Sequence, residues 1–272
     1  MSAGVGGIGT AFRALHGDFF VAPNPWDGAS AKLLAGMGFS ALASSSAAIA
    51  WGLGRTDGGI GRQEAIANAK MIFEATGLPV NGDFEAGYGE TPVDVADTIK
   101  AAIDAGVAGC SIEDIWRGGE TPLYDEAEAC RRLEAARTAI DRSSADFVLT
   151  GRCEAILARV PDAQDVVMRR LKLYADVGAD VLYARGLASV EAVAAVVGLS
   201  DLPVSVIAGL GGVSNDLAAL RALGVKRITL GSNLVKVAYG AFIEAGEALR
   251  EGRVALDAAV PSSRIEKAMR GQ

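Results

Sequence analysis

Histidine and cysteine are scarce in this sequence, which has one histidine and three cysteines in 272 residues. His16 precedes the first predicted strand, so we expect it in a surface loop, and histidine-based triads and histidine-ligated metals are excluded. Cys110, Cys130 and Cys153 cannot all pair, and they share no metal-ligand spacing. The cysteine content is therefore typical of a reducing compartment.

The sequence also lacks an excess of positive charge and a long segment of large apolar residues. The 26 basic and 33 acidic side chains give a net charge of −7, which argues against nucleic acid or an anionic membrane surface as partner. Residues 33–54 are uncharged, but they hold four glycines and four serines, so a strand with flanking loops explains them better than a membrane span. The first 17 residues show no basic region followed by an apolar run, so we expect no secretory signal and a cytoplasmic protein.

Short runs rich in strand-forming residues recur along the chain, and segments of helical pattern lie between most of them. Eight runs predict strands at residues 19–22, 40–43, 79–82, 110–113, 147–150, 181–184, 204–207 and 227–230. Several strands follow a glycine that suits the left-handed end of a helix: Gly38, Gly77, Gly106, Gly178 and Gly224. Apolar spacing predicts helices around residues 65–73 and 166–174, and Thr91-Pro92-Val93-Asp94 predicts a helix start.

Eight strands that alternate with helices predict an α/β protein with a (β/α)8 barrel of the TIM type. The alternative is an open doubly wound sheet, but no GxGxxG motif follows the first predicted strand. No linker or change of composition divides the chain, so we expect one barrel domain over residues 1–272. Residues 232–272 exceed one closing helix, and we expect them to form closing and oligomerisation helices that pack on a neighbouring subunit.

In such a barrel the active site lies at the carboxyl ends of the strands. Carboxylates follow the third and fourth predicted strands and arginines follow the fifth and sixth; the strand-end residues include Ser44, Ser45, Ser46, Asp83, Glu85, Glu113, Asp114, Arg152, Glu154, Arg185, Ser205 and Ser232. Clustered carboxylates without histidine or cysteine favour a hard cation, so we expect Mg2+, with Mn2+ as an alternative, and not zinc. Schiff-base chemistry is disfavoured because Lys226 lies at the start of a strand and the other lysines fall in helical segments.

Several of these residues belong to an ordered series of motifs. The series is Ser44-Ser45-Ser46, then GRTDG at 54–58, DFEAGYG at 83–89, SIED at 111–114 and GRCEA at 151–155. From about residue 10 to residue 250 the sequence resembles the isocitrate lyase / phosphoenolpyruvate mutase superfamily. The resemblance implies a barrel, a Mg2+-dependent site, a small 2-oxo acid or related carboxylate as substrate, an enolate, and a homotetramer whose terminal helices swap between partners.

The resemblance also implies roles for individual residues. Asp83 is expected to be the direct metal ligand; Asp57, Glu85 and Glu113 are expected to hold water bound to the metal. Ser44 and the backbone of Ser45 and Ser46 are expected to cradle the substrate's carboxylate and oxo group. Arg152 is expected to clamp the anionic end, since an arginine fork suits a carboxylate or phosphonate. We also place Asp57, Glu154 and Ser205 among the expected substrate-binding residues.

The segment after strand four departs from the superfamily pattern. Lyases of this superfamily carry a K-[KR]-C-G-H loop here, whereas residues 115–124 read IWRGGETPLY and contain no cysteine, histidine or lysine. Cleavage of isocitrate or methylisocitrate is therefore disfavoured, and Cys110 and Cys153 are expected to be packed, inert thiols. Arg117, Tyr88 and Tyr124 remain as candidate catalytic groups.

These observations favour an enzyme that cleaves a C–C bond, as a lyase or decarboxylase, with P–C bond chemistry on a phosphonate as the alternative. Two other classes stay open. Residues 208–212 and 231–233 resemble a barrel phosphate site, which would indicate a sugar-phosphate enzyme. The third class is a barrel that binds a metabolite without catalysis.

Overall fold

The fold was obtained as a computed structural model, which describes residues 5–115, 118 and 122–271. Eight strands form one sheet in which every hydrogen-bonded pair is parallel. The strands are β1 Phe20–Val21, β2 Leu42–Ala43, β3 Val80–Asp83, β4 Gly109–Glu113, β5 Val148–Cys153, β6 Val181–Ala184, β7 Val204–Ile207 and β8 Arg227–Thr229. All eight predicted strands are confirmed, with ends shifted by at most a few residues.

The sheet curves into a nearly closed barrel. β1 pairs with β8, so the first and last strands are neighbours. On the other side of β1, the Ala43 amide of β2 donates to the carbonyl of Pro23, at 3.0 Å. The predicted (β/α)8 barrel is therefore confirmed, and the open doubly wound sheet is excluded.

Helices cover the outside of the barrel. Within the described residues they are α1 Val5–Leu15, α2 Gly28–Gly36, α3 Ser46–Gly52, α4 Arg62–Thr76, α5 Pro92–Asp104, α6 Glu126–Ser143, α7 Ala163–Asp176, α8 Val190–Val197, α9 Leu217–Ala222, α10 Asn233–Arg250 and α11 Ser262–Met269. Fully buried Ile72, Ile99, Ile140 and Leu171 on these helices pack toward the strands. In the part of the chain that the structure describes, no helix is both long and apolar enough to cross a membrane.

Local sequence signals set several helix ends. Thr91 and Asp94 form a reciprocal capping box at the start of α5, and Pro92 is its first residue, as the sequence predicts. The five glycines expected to end helices all have positive φ, from 67° at Gly77 to 99° at Gly178. Since L-residues with a side chain rarely adopt that conformation, glycine at these positions directs the chain from helix to strand.

The amino-terminal end of the barrel holds a buried polar cluster around Arg227. This side chain is 1% exposed and donates to Ser205 Oγ at 3.0 Å, Asn81 Oδ1 at 3.2 Å and Thr150 Oγ1 at 2.9 Å. His16 Nε2 lies 3.4 Å from Arg227 Nη1. His16 lies in a turn after α1, as a loop role requires, but the turn folds its ring inward, so the expectation of a surface position is wrong.

Candidate active site

A cavity of about 150 Å³ opens at the carboxyl ends of the strands. Its walls combine acidic, basic and apolar side chains: Ser45, Ser46, Ala47, Asp57, Asp83, Glu113, Ile115, Arg152, Glu154, Leu157, Tyr183, Arg185, Ile207, Gly231 and Ser232. The fold thus gathers residues from motifs that are far apart in sequence. The cavity is several times the roughly 30 Å³ that one water occupies in the liquid, so it suits a compact polar ligand.

Asp83 is held in place by two of the predicted serines. Its Oδ2 accepts hydrogen bonds from the Ser46 amide at 2.9 Å and from Ser46 Oγ at 3.0 Å. Its own amide donates to Ser44 Oγ, also at 2.9 Å. Ser45 has a separate role, because its Oγ caps α3 by accepting from the Ala48 amide. The serine motif therefore fixes the Asp83 carboxylate on one wall of the cavity.

Arg152 lies among three carboxylates. Its Nη1 is 3.1 Å from Asp83 Oδ1 and 2.9 Å from Glu113 Oε2, and its Nε donates to Glu154 Oε1. The guanidinium also lies over the ring of Tyr183, with 5.3 Å between its central carbon and the ring centroid. These contacts rigidly orient Arg152, and two of its three nitrogens are already engaged by protein carboxylates.

Negative charge is in excess around Glu113. Burial raises the pKa of Glu113 well above its usual range, and the Arg152 guanidinium offsets this shift only in part. The charges of Glu154, Asp83 and Glu85 raise that pKa further. A cation bound near these oxygens would relieve their repulsion.

The donor set suits a hard cation. It consists of carboxylate and hydroxyl oxygens, which Mg2+ and Mn2+ prefer, and Mg2+ commonly keeps several waters while binding one or two carboxylates. Within the described ranges, no three His, Cys, Asp or Glu side chains stand in a ready-made chelating arrangement. This arrangement fits a metal with one direct protein ligand and further carboxylates that bind its waters.

The segment that follows Asp83 is strained and firmly supported. Glu85 and Tyr88 have φ of 47° and 52°, in the left-handed region that non-glycine residues rarely adopt. Arg132 of α6, 1% exposed, donates to the carbonyl oxygens of Ala86, Gly89 and Glu90 at 2.8–3.2 Å. A buried guanidinium with several acceptors thus holds this unusual backbone beside the cavity.

A second buried network lies between the barrel and α7. Asp114 Oδ2 accepts from Arg170 Nη1 at 2.9 Å and from the Tyr174 hydroxyl at 2.6 Å, while its Oδ1 accepts from the Glu154 amide at 2.8 Å. Cys153 is buried on this outer side, and burial raises the pKa of its thiol well above the usual range. Asp114 therefore positions Glu154, and the protonated Cys153 packs away from the cavity.

Several predicted site residues lie elsewhere. Glu85 is buried behind Glu113, whose amide donates to the Glu85 carbonyl at 2.9 Å, and Tyr88 packs its ring on the core. Neither is among the described residues that line the main cavity. Ser205 and Ser44 line a smaller space of about 30 Å³ below it, where Ser205 Oγ is an acceptor for Arg227.

Two further predictions concern the edges of the site. Asp57 is exposed and lines the mouth of the cavity. Arg117 falls outside the described residues, so its predicted catalytic role stays a prediction. The predicted candidate Tyr124 packs under Arg132, with 4.6 Å between the guanidinium carbon and the ring centroid.

Sequence reasoning missed one functional candidate, Tyr183 on β6, and assigned no role to Arg185, the residue that follows this strand. Tyr183 lines the cavity, and burial raises the pKa of its hydroxyl to about 12, so it remains a hydrogen-bond donor at neutral pH. Arg185 was recognised at a strand end but was given no role, and it also lines the cavity. The period-two alternation of a strand, which places residues 183 and 185 on one face, is the signal that would have found Tyr183.

The expected phosphate site after β7 does not form a free anion cradle. The Leu210 and Gly211 amides donate to Ser214 Oγ at 3.1 Å and Asn215 Oδ1 at 3.3 Å, and the Gly209 amide donates to the Ser214 carbonyl. These amides are already engaged within the loop. The sugar-phosphate interpretation therefore loses one of the two segments on which it rests, while Gly231 and Ser232 of the other segment line the cavity.

Comparison with known proteins places the chain in a family. The family model described as "Phosphoenolpyruvate phosphomutase" matches residues 12–250. One similar crystal structure is that of a protein from Burkholderia cenocepacia J2315 that is named a lyase/mutase only provisionally. Its sequence is 41% identical and the TM-score is 0.92, and the match covers 97% of this chain and 95% of that one. Oxaloacetate acetylhydrolase in complex with its product oxalate is 27% identical with a TM-score of 0.87, and the match covers 97% and 94% of the two chains.

Curated sequences agree over a shorter range. "Probable 2-methylisocitrate lyase 2" of Corynebacterium glutamicum is 32% identical over 174 residues, which are 61% of this chain and 55% of that protein. The chain spans about half the length of the first curated relatives it matches. The ordered motifs, the barrel and the match over residues 12–250 agree, and the chain belongs to the phosphoenolpyruvate phosphomutase family, within the isocitrate lyase / phosphoenolpyruvate mutase superfamily.

Proposed function

We propose that this protein is a Mg2+-dependent enzyme that cleaves a C–C bond in a small 2-oxo acid or related carboxylate by way of an enolate. The observation that carries the proposal is the cavity in which Asp83, Glu113 and Glu154 surround Arg152. A non-catalytic metabolite-binding barrel is less well supported, because these buried charges cost free energy that packing alone does not require.

In this proposal Asp83 is the direct ligand of the metal, and Glu113 and Asp57, which also line the cavity, hold it through water. Bound Mg2+ supplies a Lewis acid that stabilises negative charge on the oxo group. Ser46 orients Asp83 through its amide and hydroxyl. Tyr183 keeps its proton and can donate a hydrogen bond to an anionic oxygen in the cavity.

An oxaloacetate-like substrate is favoured over isocitrate or methylisocitrate. Residues 115–124 contain no cysteine, histidine or lysine for the acid–base step of those lyases. Decarboxylation needs a chelating metal but no acid–base cysteine to generate the enolate. The likeness to oxaloacetate acetylhydrolase, over 97% of this chain, supports a substrate of this size and charge.

P–C bond chemistry on a phosphonate is the second candidate. The description of the matching family model favours it. The Lys- and Asn-rich loop of the phosphonomutase-type members is absent from residues 115–124, which argues for C–C cleavage first.

The test is ligand-dependent stability followed by an assay. With Mg2+, we expect oxaloacetate or oxalate to raise the melting temperature, since a ligand at 100 times its Kd adds about 2.7 kcal/mol of stability. Phosphonopyruvate and a sugar phosphate are tested in parallel. Stabilisation by phosphonopyruvate alone would select the second candidate, and stabilisation by the sugar phosphate alone would overturn the proposal.

Removing the metal ligand provides the first mutational prediction. Asp83→Ala and Asp83→Asn should abolish turnover and Mg2+-dependent ligand binding, while Glu113→Gln should be milder because an amide can still bind a water. Turnover is measured by product release and binding by thermal shift, with circular dichroism to confirm the fold. Exposed Asp201 supplies the control Asp201→Ala, which should behave as wild type. Full turnover in either Asp83 variant would show that the metal site is assigned wrongly.

A further inference from the structure

Arg185 is a second cation in the cavity, and its contacts differ from those of Arg152. Its amide donates to the Cys153 carbonyl at 3.1 Å, which fixes the backbone just beyond β6. Its Nη1 lies 3.8 Å from Glu154 Oε2, longer than a hydrogen bond. Its side chain is 27% exposed and lines the same cavity as Asp83 and Arg152.

The Nε edge of this guanidinium is buried without a hydrogen-bond partner among the described residues. Glu154 Oε2 is also buried without such a partner in that part of the chain. Leaving a buried donor unpaired is unfavourable, so a group of this kind beside a cavity indicates a partner that arrives with a ligand. A guanidinium presents parallel N–H donors that match a carboxylate, so the missing partner is an anion.

Arg152 and Arg185 differ in the number of carboxylates that surround them. Arg152 already contacts three protein carboxylates, whereas among the described residues Arg185 faces one, at 3.8 Å. The oxygens of the substrate that the metal would chelate belong beside Asp83. Arg185 follows the sixth strand, whereas Asp83 lies on β3, and two strands, β4 and β5, separate these positions around the barrel.

We propose that Arg185 binds the second anionic group of the substrate, remote from the 2-oxo carboxylate, and thereby selects a 2-oxo diacid over a 2-oxo monoacid. This inference rests on the proposed function. Apolar Leu157 and Ile207 line the same cavity and can contact the carbon skeleton between the two anionic ends.

The test compares one diacid with one monoacid in the presence of Mg2+. The probes are 3,3-difluorooxaloacetate and pyruvate, and their Kd values are measured by calorimetry on wild type, Arg185→Gln and Arg185→Lys. We expect the wild type to bind the diacid at least ten-fold more tightly than pyruvate. Arg185→Gln should lose at least ten-fold in diacid affinity and less than about two-fold for pyruvate, with Arg185→Lys between the two.

The control is Arg221→Gln, which removes the same charge from an exposed position on α9, where the side chain pairs with Asp18. It should leave both affinities unchanged. If Arg185→Gln weakens both ligands equally, or neither, Arg185 does not recognise the second anion, and the inference fails while the proposed function stands. If the wild type binds neither 2-oxo acid, the proposed function fails first. Circular dichroism and thermal melting of the ligand-free variants confirm that each is folded. If Arg185→Gln does not fold, the affinities of Arg185→Lys for the two ligands decide the test.

Discussion

The buried arginines of this protein differ in the groups that surround each guanidinium, and these groups affect both its pKa and the pKa of its neighbours. Carboxylates neutralise Arg152, and Arg132 Nη1 lies 3.5 Å from Glu128 Oε1, whereas Arg227 donates to the neutral oxygens of Ser205, Asn81 and Thr150. Burial lowers the pKa of Arg227 to about 10, so it is still protonated at neutral pH. Its charge lies 3.4 Å from His16 Nε2, and this proximity adds to burial in disfavouring a histidine cation.

The free energy of unfolding should therefore vary with pH because His16 is protonated in the unfolded chain but not in the folded protein. Burial and the Arg227 charge lower its folded pKa to about 3 from the ordinary 6.5, so only the unfolded chain takes up a proton as pH falls below 6.5. A folded pKa below the unfolded one means that stability is full above pH 6.5 and is lost as pH decreases toward 3. We expect His16 to contribute a loss of about 2 kcal/mol between pH 7.5 and pH 5, at about 1.4 kcal/mol per unit.

The measurement is urea unfolding at several pH values in that interval. His16→Asn should be less stable overall, because it loses the ring contacts with Phe12 and Phe20, but its stability should vary much less between pH 7.5 and pH 5. Equal slopes for the two proteins would show that His16 is not held neutral by the fold.

At the scale of elements, Asp114 joins two strands, a helix and the segment after β4. It binds Arg170 and Tyr174 of α7 and the Glu154 amide beyond β5. The Tyr124 amide donates to the Asp114 carbonyl at 2.9 Å, and the Tyr124 carbonyl accepts from Arg170 Nη2 at 2.8 Å. The backbone at Tyr124 is thus tied to the residue that positions Glu154.

Loss of the Asp114 carboxylate charge from this network should destabilise the fold. Asp114→Asn leaves the Arg170 guanidinium buried without its counter-charge, and loss of one partner of a buried ion pair costs about 3–5 kcal/mol. The exposed pair Lys172–Asp176 on the same helix supplies the control, and Asp176→Asn should cost less than about 1 kcal/mol. Chemical denaturation measures both changes. If Asp114→Asn lowers the free energy of unfolding no more than Asp176→Asn does, the Asp114 network does not stabilise the fold.

At the scale of the whole molecule, α10 carries large apolar side chains that the barrel leaves exposed. Phe242 and Val237 are 78% and 72% exposed, and Ile243 and Leu249 are more than half exposed. Several large exposed apolar side chains on one helix surface indicate an interaction site. We propose that it packs against further copies of this chain, as the expected homotetramer requires. The terminal helix α11 instead contacts α2 of its own chain, where Lys32 Nζ donates to the Met269 carbonyl at 2.9 Å.

A charge placed on that surface should separate the copies. Phe242→Asp is expected to shift the mass in solution from tetramer toward monomer, because an aspartate would be desolvated at the interface. Val93→Asp changes an equally apolar, exposed residue on α5 and should leave the mass unchanged. Sedimentation velocity measures both. A wild-type monomer, or an unchanged mass for Phe242→Asp, would contradict the proposal.

The sequence was sufficient to predict the order of strands and helices. The glycines at helix ends, the Thr91–Asp94 capping box and the eight strand runs depend on interactions within a few residues, which a pattern can show. It also placed Asp83, Glu113 and Arg152 at one end of the barrel, because parallel strands carry their carboxyl ends to the same edge.

The pairing of side chains, by contrast, could be read only from the folded barrel. His16 lies inside because α1 folds across the barrel's amino-terminal end and brings it to Arg227, 211 residues away in sequence. Ser205 faces the same arginine, and Arg152 rather than Arg185 collects the carboxylates. These outcomes depend on burial and on distances between side chains from different strands, and no local pattern encodes the free energy of desolvating one charge beside another.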